Sequence, residues 1–211
     1  MIPDAQVLAL FMAAALALNV TPGPDMLYVA ARSTSEGRRA GILSAFAIAT
    51  GTLVHIASVA LGLTALLAAV PVAYEVLRWA GAAYLVYLGI RALRSGPAAT
   101  SSAPPPASSW IVFRQGVLTN VLNPKVALFF LAFLPQFVDP ARGSVVGQVV
   151  FLGLLFNTSG TIVNVAVALG ASEAAARLRR STGLQNVARK VTGGIFILLG
   201  LRLAFGGRGS S

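Results

Sequence analysis

The stretch Thr21-Pro22-Gly23-Pro24-Asp25 lies inside an apolar run covering residues 5–31. Two prolines and a glycine interrupt a helical hydrogen-bond ladder, because proline has no N–H and restricts the residue before it. The run is long enough to cross a bilayer, and the break falls a few residues past its middle. Carbonyls freed there cannot be satisfied by lipid, so protein or cavity water must meet them. Asp25 places an acidic group at the same point. Intramembrane charges are costly and mark functional sites by default. The plainer alternative is a kink that only shapes packing.

A second break, Asn123-Pro124-Lys125, lies near the centre of the apolar run between Arg114 and Asp139, with Asn120 one turn earlier. The two breaks belong to a repeat. At an offset of 102, Pro22 meets Pro124, Gly51 meets Gly153, His55 meets Asn157 and Ser58 meets Gly160. At an offset of 111, Arg78 meets Arg189, Leu88 meets Leu199, Gly89 meets Gly200 and Arg91 meets Arg202. The matches keep their order along both halves.

Six spanning helices are expected, over 5–31, 41–69, 76–93, 113–138, 144–170 and 187–205. The fold class is an all-α membrane protein of two three-helix repeats, the first helix of each broken by proline. Residues 1–95 form the first repeat, the Pro/Ala/Ser-rich stretch 96–109 a flexible linker, 110–205 the second repeat and 206–211 a disordered tail. An odd number of helices per repeat makes the second enter the membrane inverted, an architecture of many secondary transporters.

Composition agrees. The chain is 56% hydrophobic and 10% charged, against about 25% charged in soluble domains. The net charge of +10 raises nucleic-acid binding, but the basic residues fall between apolar runs rather than on one stripe. Arg32, Arg38 and Arg39 follow the first run, Arg91, Arg94 and Arg114 flank the linker, and Arg177, Arg179, Arg180, Arg189 and Lys190 lie between the last two runs. The remaining loops offer Arg78 and Arg142. The positive-inside bias makes the odd loops cytoplasmic and puts both termini outside. Met1-Ile2-Pro3-Asp4 lacks the positive region of a secretory signal, so the first run is expected to be retained.

His55 is the only histidine and there is no cysteine. Gly41, Ser44, Ile48, Gly51, His55, Ser58 and Gly62 step by three and four and predict one close-packing or cavity-lining helix face. Gly153, Asn157, Gly160 and Asn164 form the related face in the second half. His55 suits proton handling, substrate contact or an interhelical hydrogen bond. Asp25 and Lys125 suit either an ion pair joining the halves or a substrate site. Trp79, Tyr84, Tyr87 and Trp110 read as interfacial anchors. Gly193 and Gly194 serve intrasubunit or homo-oligomer packing equally well.

These motifs carry a family resemblance. Thr21-Pro22-Gly23-Pro24-Asp25, Gly37-Arg38-Arg39-Ala40-Gly41, Gly51 with His55, Ala83-Tyr84-Leu85 with Gly89, Phe113-Arg114-Gln115-Gly116, Asn120, Asn123-Pro124-Lys125 and Pro135-Gln136-Phe137 resemble the LysE/RhtB amino-acid exporters across about residues 5–205. The resemblance implies a six-helix exporter of the bacterial inner membrane, moving amino acids or related small metabolites on an ion gradient, with a proton the expected coupling ion. No cofactor or metal is expected. Substrate binding or coupling is expected at Thr21, Pro22, Gly23, Pro24, Asp25, His55, Asn120, Asn123, Pro124, Lys125 and Asn157.

Two other readings are weaker. A metal-ion exporter wants clustered carboxylates, histidines or thiolates, and this chain is poor in all three. An intramembrane serine hydrolase would use Ser159-Gly160 with His55, but Asn157-Thr158-Ser159-Gly160 lacks the first glycine of a Gly-x-Ser-Gly turn, and this reading leaves the paired breaks unexplained.

Overall fold

The computed structural model describes residues 3–69 and 107–170, with separate positions between 79 and 94 and between 190 and 201. The expected linker, the tail and most of the third and sixth expected helices lie outside the described residues. The described positions within those two helices are themselves helical. Among the described residues there is no strand. Helix α1 is Ala5–Val20, α2 Pro24–Glu36, α3 Arg38–Ala69, α4 Ser109–Val121, α5 Pro124–Leu128 and α6 Val145–Gly170.

The breaks fall where the prolines dictate. Pro24 and Pro124 are each in the first turn of the helix that restarts, where a missing N–H costs nothing. α1 and α2 bend by 47°, and α4 bends by 43° against the segment Pro124–Phe137. Each bent pair has the length and apolarity of one membrane span, as α3 and α6 have alone.

Contacts at the two ends set the directions. Asp4, at the start of α1, meets Arg142, just past the second bent span. Arg32, near the end of α2, meets Gln115, early in α4. The two bent spans therefore run antiparallel. Ser33 donates to Ala168 O at 2.5 Å, which brings the end of α6 to the same side as the end of α2.

Beyond α5 the helix widens into a π-helical turn, Phe129–Phe133, and then tightens into a 3-10 turn, Leu134–Phe137. Pro135 has no N–H to complete the α-helical ladder, so the ladder slips ahead of it. The slip buries Phe129, Phe130 and Phe133 together. They pack with Phe11 of α1 and Phe156 of α6; Phe129 and Phe156 stack with centroids 4.6 Å apart, and Phe11 meets Phe137 edge-on at 5.3 Å. This aromatic cluster locks the first half to the second.

Among the described residues, many large apolar side chains face outward. Leu61, Leu122, Trp110 and Ile162 are each at least 65% exposed. Helices that are hydrophobic on all sides suit lipid rather than water.

Three expectations need correction. The first span does not end at Ala31: α2 continues to Glu36, and the turn to α3 is the single residue Gly37 at φ 89°. Arg32 is therefore not a loop charge. It lies within α2, 2% exposed, where Glu36 and Gln115 meet its guanidinium. The predicted α3 face holds from Gly41 to Gly51 and then turns away, leaving Ser58 and Gly62 exposed. A seven-residue repeat drifts about 20° per heptad on a straight helix, so burial passes to Thr52, Ile56 and Val59.

Glycine sets the approach of α3 to α4. A Cβ on Gly116 would lie 2.6 Å from Ala47 Cβ, and one on Gly51 would lie 2.9 Å from the Val117 carbonyl. Gly116→Val should lower the melting temperature of the detergent-solubilised protein by the equivalent of about 1–3 kcal/mol, the usual cost of overpacking. An unchanged melting temperature would contradict the close contact.

Candidate functional site

The first break ends α1 with carbonyls that no helical N–H can reach. Thr21 partly closes its own helix, its Oγ1 donating to Ala17 O at 2.5 Å and its N–H shared between Ala17 O and Leu18 O. The remaining demand is met from the other half. Lys125 Nζ donates to Leu18 O at 3.0 Å and to Thr21 O at 2.8 Å. A cation at a helix C-terminus also opposes the dipole there. Gly23 makes room for it, because a Cβ at that position would stand 3.1 Å from Lys125 Nζ.

The second break is served in the reverse sense. His55 on α3 lies with Nε2 3.1 Å from the Asn120 carbonyl, near the end of α4. Asn123 caps α5, its Oδ1 accepting from Lys125 N at 3.0 Å. Each half thus supplies a nitrogen-bearing side chain to the carbonyls exposed by the other half's break.

Asn120 joins these groups. Its Nδ2 donates to Asp25 Oδ2 at 2.8 Å, its Oδ1 accepts from Thr52 Oγ1 at 3.3 Å, and it is 1% exposed. Asp25 therefore pairs with an amide. The alternative of an Asp25–Lys125 ion pair is not realised, since Lys125 is engaged with backbone carbonyls instead. Two buried atoms at the junction have no hydrogen-bond partner, the acceptor Asp25 Oδ1 and the donor Asn123 Nδ2.

A cavity opens beside Asp25. Of the expected site residues, Thr21, Asp25, Asn120, Lys125 and Asn157 line it. His55 stands one contact behind, held by the Asn120 carbonyl and stacked on Phe130 with centroids 5.8 Å apart. Asn123 is buried as a cap, while Pro22, Gly23, Pro24 and Pro124 shape the breaks without lining the space. The sequence reading did not single out Asn19 or Thr52, which also line it. Asn19 Nδ2 donates to Phe156 O at 3.2 Å and to Ser159 Oγ at 3.0 Å on α6. An asparagine two residues before Thr21 in an apolar run was the available signal.

The space between these side chains is about 30 Å³, enough for one or two waters. Ser159 is occupied by Asn19 and by donating to Phe156 O at 2.9 Å, so the hydrolase geometry with His55 is not formed. Among the described residues, no three His, Cys, Asp or Glu side chains cluster as a metal site would require.

A family model, LysE type translocator, matches residues 16–207 and so covers both breaks. The chain belongs to the LysE type translocator family. Among relatives of this translocator is a homoserine/homoserine lactone efflux protein of Salmonella typhimurium, 30% identical over 89% of this chain and 90% of that protein. An uncharacterized membrane protein of Vibrio cholerae is 30% identical over 95% of this chain and 98% of its own length. A leucine efflux protein of Salmonella choleraesuis is 30% identical over 61% of this chain and 62% of that protein. No solved structure matches the translocator.

Lys125→Met should leave the Thr21 carbonyl without its donor and the Leu18 carbonyl with only the Thr21 N–H, and destabilise the translocator by about 1–3 kcal/mol. Lys125→Gln, which keeps a donor, should recover part of this in a thermal-shift assay. Equal stability of the methionine variant and the parent would contradict the bridge.

Proposed function

We propose that this chain is a secondary active exporter of amino acids or closely related small metabolites across the bacterial inner membrane, built as a six-helix inverted repeat. The observation that carries the reading is the buried, unpartnered Asp25 Oδ1 at a helix break that faces a second, inverted break. Family membership and the efflux names of its relatives support it. The antiparallel course of the two bent spans supports the inversion.

A zwitterion needs an acceptor for its ammonium and donors for its carboxylate. Asp25 Oδ1 supplies the acceptor, while Asn120 steadies the other carboxylate oxygen. For the carboxylate there is the N-terminus of α2, whose N-cap Gly23 offers no side-chain hydrogen bond. Free N–H groups and the positive dipole end favour an anion there. Lys125, on the cavity wall, adds positive charge on the same side. Met26, Ile48, Val126 and Phe156 form the apolar part of the lining and take the aliphatic portion of the substrate.

The cavity as it stands is too small for an amino acid, so binding requires the halves to part. In an inverted repeat that parting occurs towards one side at a time, which is alternating access. A proton is the proposed coupling ion, with Asp25 its carrier.

Efflux from preloaded cells and from inverted vesicles, across the common amino acids and with or without a pH gradient, tests the reading. At least one amino acid should be exported faster with the gradient. Asp25→Asn should insert normally yet lose gradient-driven export; full gradient-driven efflux from that variant would remove Asp25 from coupling.

A further inference from the structure

We propose that Arg32, Glu36 and Gln115 at one end of the bundle, and Asp4 with Arg142 at the other, are the two closures that decide which side of the membrane reaches the Asp25 cavity. The inference rests on the alternating-access reading above and assigns function to residues outside the site.

Both ends are tied across the halves. On the α2–α4 side, Arg32 bonds to Glu36, donates from Nη2 to Gln115 Oε1 at 2.5 Å and lies over the Tyr28 ring at 5.6 Å. Tyr28 OH donates to Val112 O at 2.6 Å, and Glu36 Oε2 accepts from Ala107 N at 3.1 Å. Three side chains one helical turn apart on α2 thus bind the start of the second half. On the opposite side, Arg142 donates through both terminal nitrogens to Asp4, at 2.7 and 2.6 Å, and its Nε lies 3.3 Å from Asp139. Gln148 fixes that loop, exchanging hydrogen bonds with the Asp139 backbone at 3.0 and 2.8 Å.

The two closures differ in kind. Arg32 is 2% exposed and is held in place by Glu36 one turn along α2, and the ties across to the other half are those to Gln115, Val112 and Ala107. Arg142 and Asp4 are 43% and 61% exposed, and water and salt screen such a pair. The Arg142 hydrogen bonds still hold the Asp4 carboxyl below the usual carboxylate range. Arg38, Arg39 and Arg114 stand exposed at the Arg32 end, whereas Asp4 and Asp139 flank Arg142 at the other. The positive-inside bias makes the Arg32 end cytoplasmic. The cytoplasmic closure is the thick one and the outer closure the light latch. With both made, the space beside Asp25 is about 30 Å³.

The chain has no cysteine, so Ala49→Cys places a single thiol on the cavity wall. A membrane-impermeant charged maleimide is applied to intact cells and to inverted membrane vesicles. Glu36→Gln, which weakens the hold on both Arg32 and the Ala107 N–H, should raise labelling from the cytoplasmic face at least tenfold and leave labelling from outside unchanged. Asp4→Asn should raise labelling from outside only, by about twofold to fivefold, as an exposed pair predicts. The exchange Asp4→Arg with Arg142→Asp should return it to the parental rate. Labelling that rises on both faces in either variant, or on neither, would overturn the assignment. The readout needs no substrate and no gradient. One-sided labelling without export of any amino acid would overturn the proposed function and leave the closures standing.

Discussion

Backbone groups that lose their helical partners inside a membrane must find others within the protein, and the two proline breaks create that demand twice. The structure meets it by exchange. Lys125, one residue past the second break, serves the carbonyls of the first, and His55, from the first half, serves the carbonyl of Asn120 at the second. Each half closes its break only in part, the Asn123 N–H serving Asn120 O and the Thr21 N–H serving Leu18 O, and docking supplies the remaining donors. Gly23 admits the lysine, and Gly51 and Gly116 admit α4 against α3. The phenylalanine cluster around Phe129 then fills the space beyond.

Docking leaves a remainder. Asp25 hydrogen-bonds Asn120 with one oxygen, while its other oxygen and the Asn123 amide donor act on each other without a well-formed hydrogen bond. Buried polar atoms without partners are expensive, and a fold that closes so many others at this junction keeps these two. Asp25 lines the cavity, where the proposed zwitterion would bring its ammonium, whereas Asn123 is buried as the cap of α5. In this account the same breaks that oblige the halves to associate also supply the polar surface that the cargo uses.

Much of this was legible from proline and charge. Pro22, Pro24 and Pro124 act through local geometry, so the positions of both breaks follow from the sequence, and so does the presence of Asp25 and Lys125 beside them. Partner choice was not legible. Lys125 reads as the mate of Asp25 or as a substrate group, yet it is held by the Thr21 carbonyl and by the Leu18 carbonyl, which also takes the Thr21 N–H. Asn19 binds Phe156 and Ser159, more than 130 positions away, and nothing local marks that contact. Arg32 reads as a loop charge because an arginine in an apolar run is costly. It lies inside α2 because Glu36, one turn on, and Gln115 of the other half make it affordable. The heptad face on α3 went astray near Ser58 because a straight helix turns faster than a seven-residue repeat.

The central claim is that the substrate ammonium lies on Asp25 between the two breaks. Solid-state NMR of the protein in lipid, with ¹⁵N in the ammonium of an exported amino acid and ¹³C in the aspartate side chains, measures this directly. The account predicts dipolar coupling at hydrogen-bonding distance to the Asp25 carboxyl carbon, lost in Asp25→Asn. Bound substrate whose ammonium couples to no aspartate, or to one other than Asp25, would contradict it.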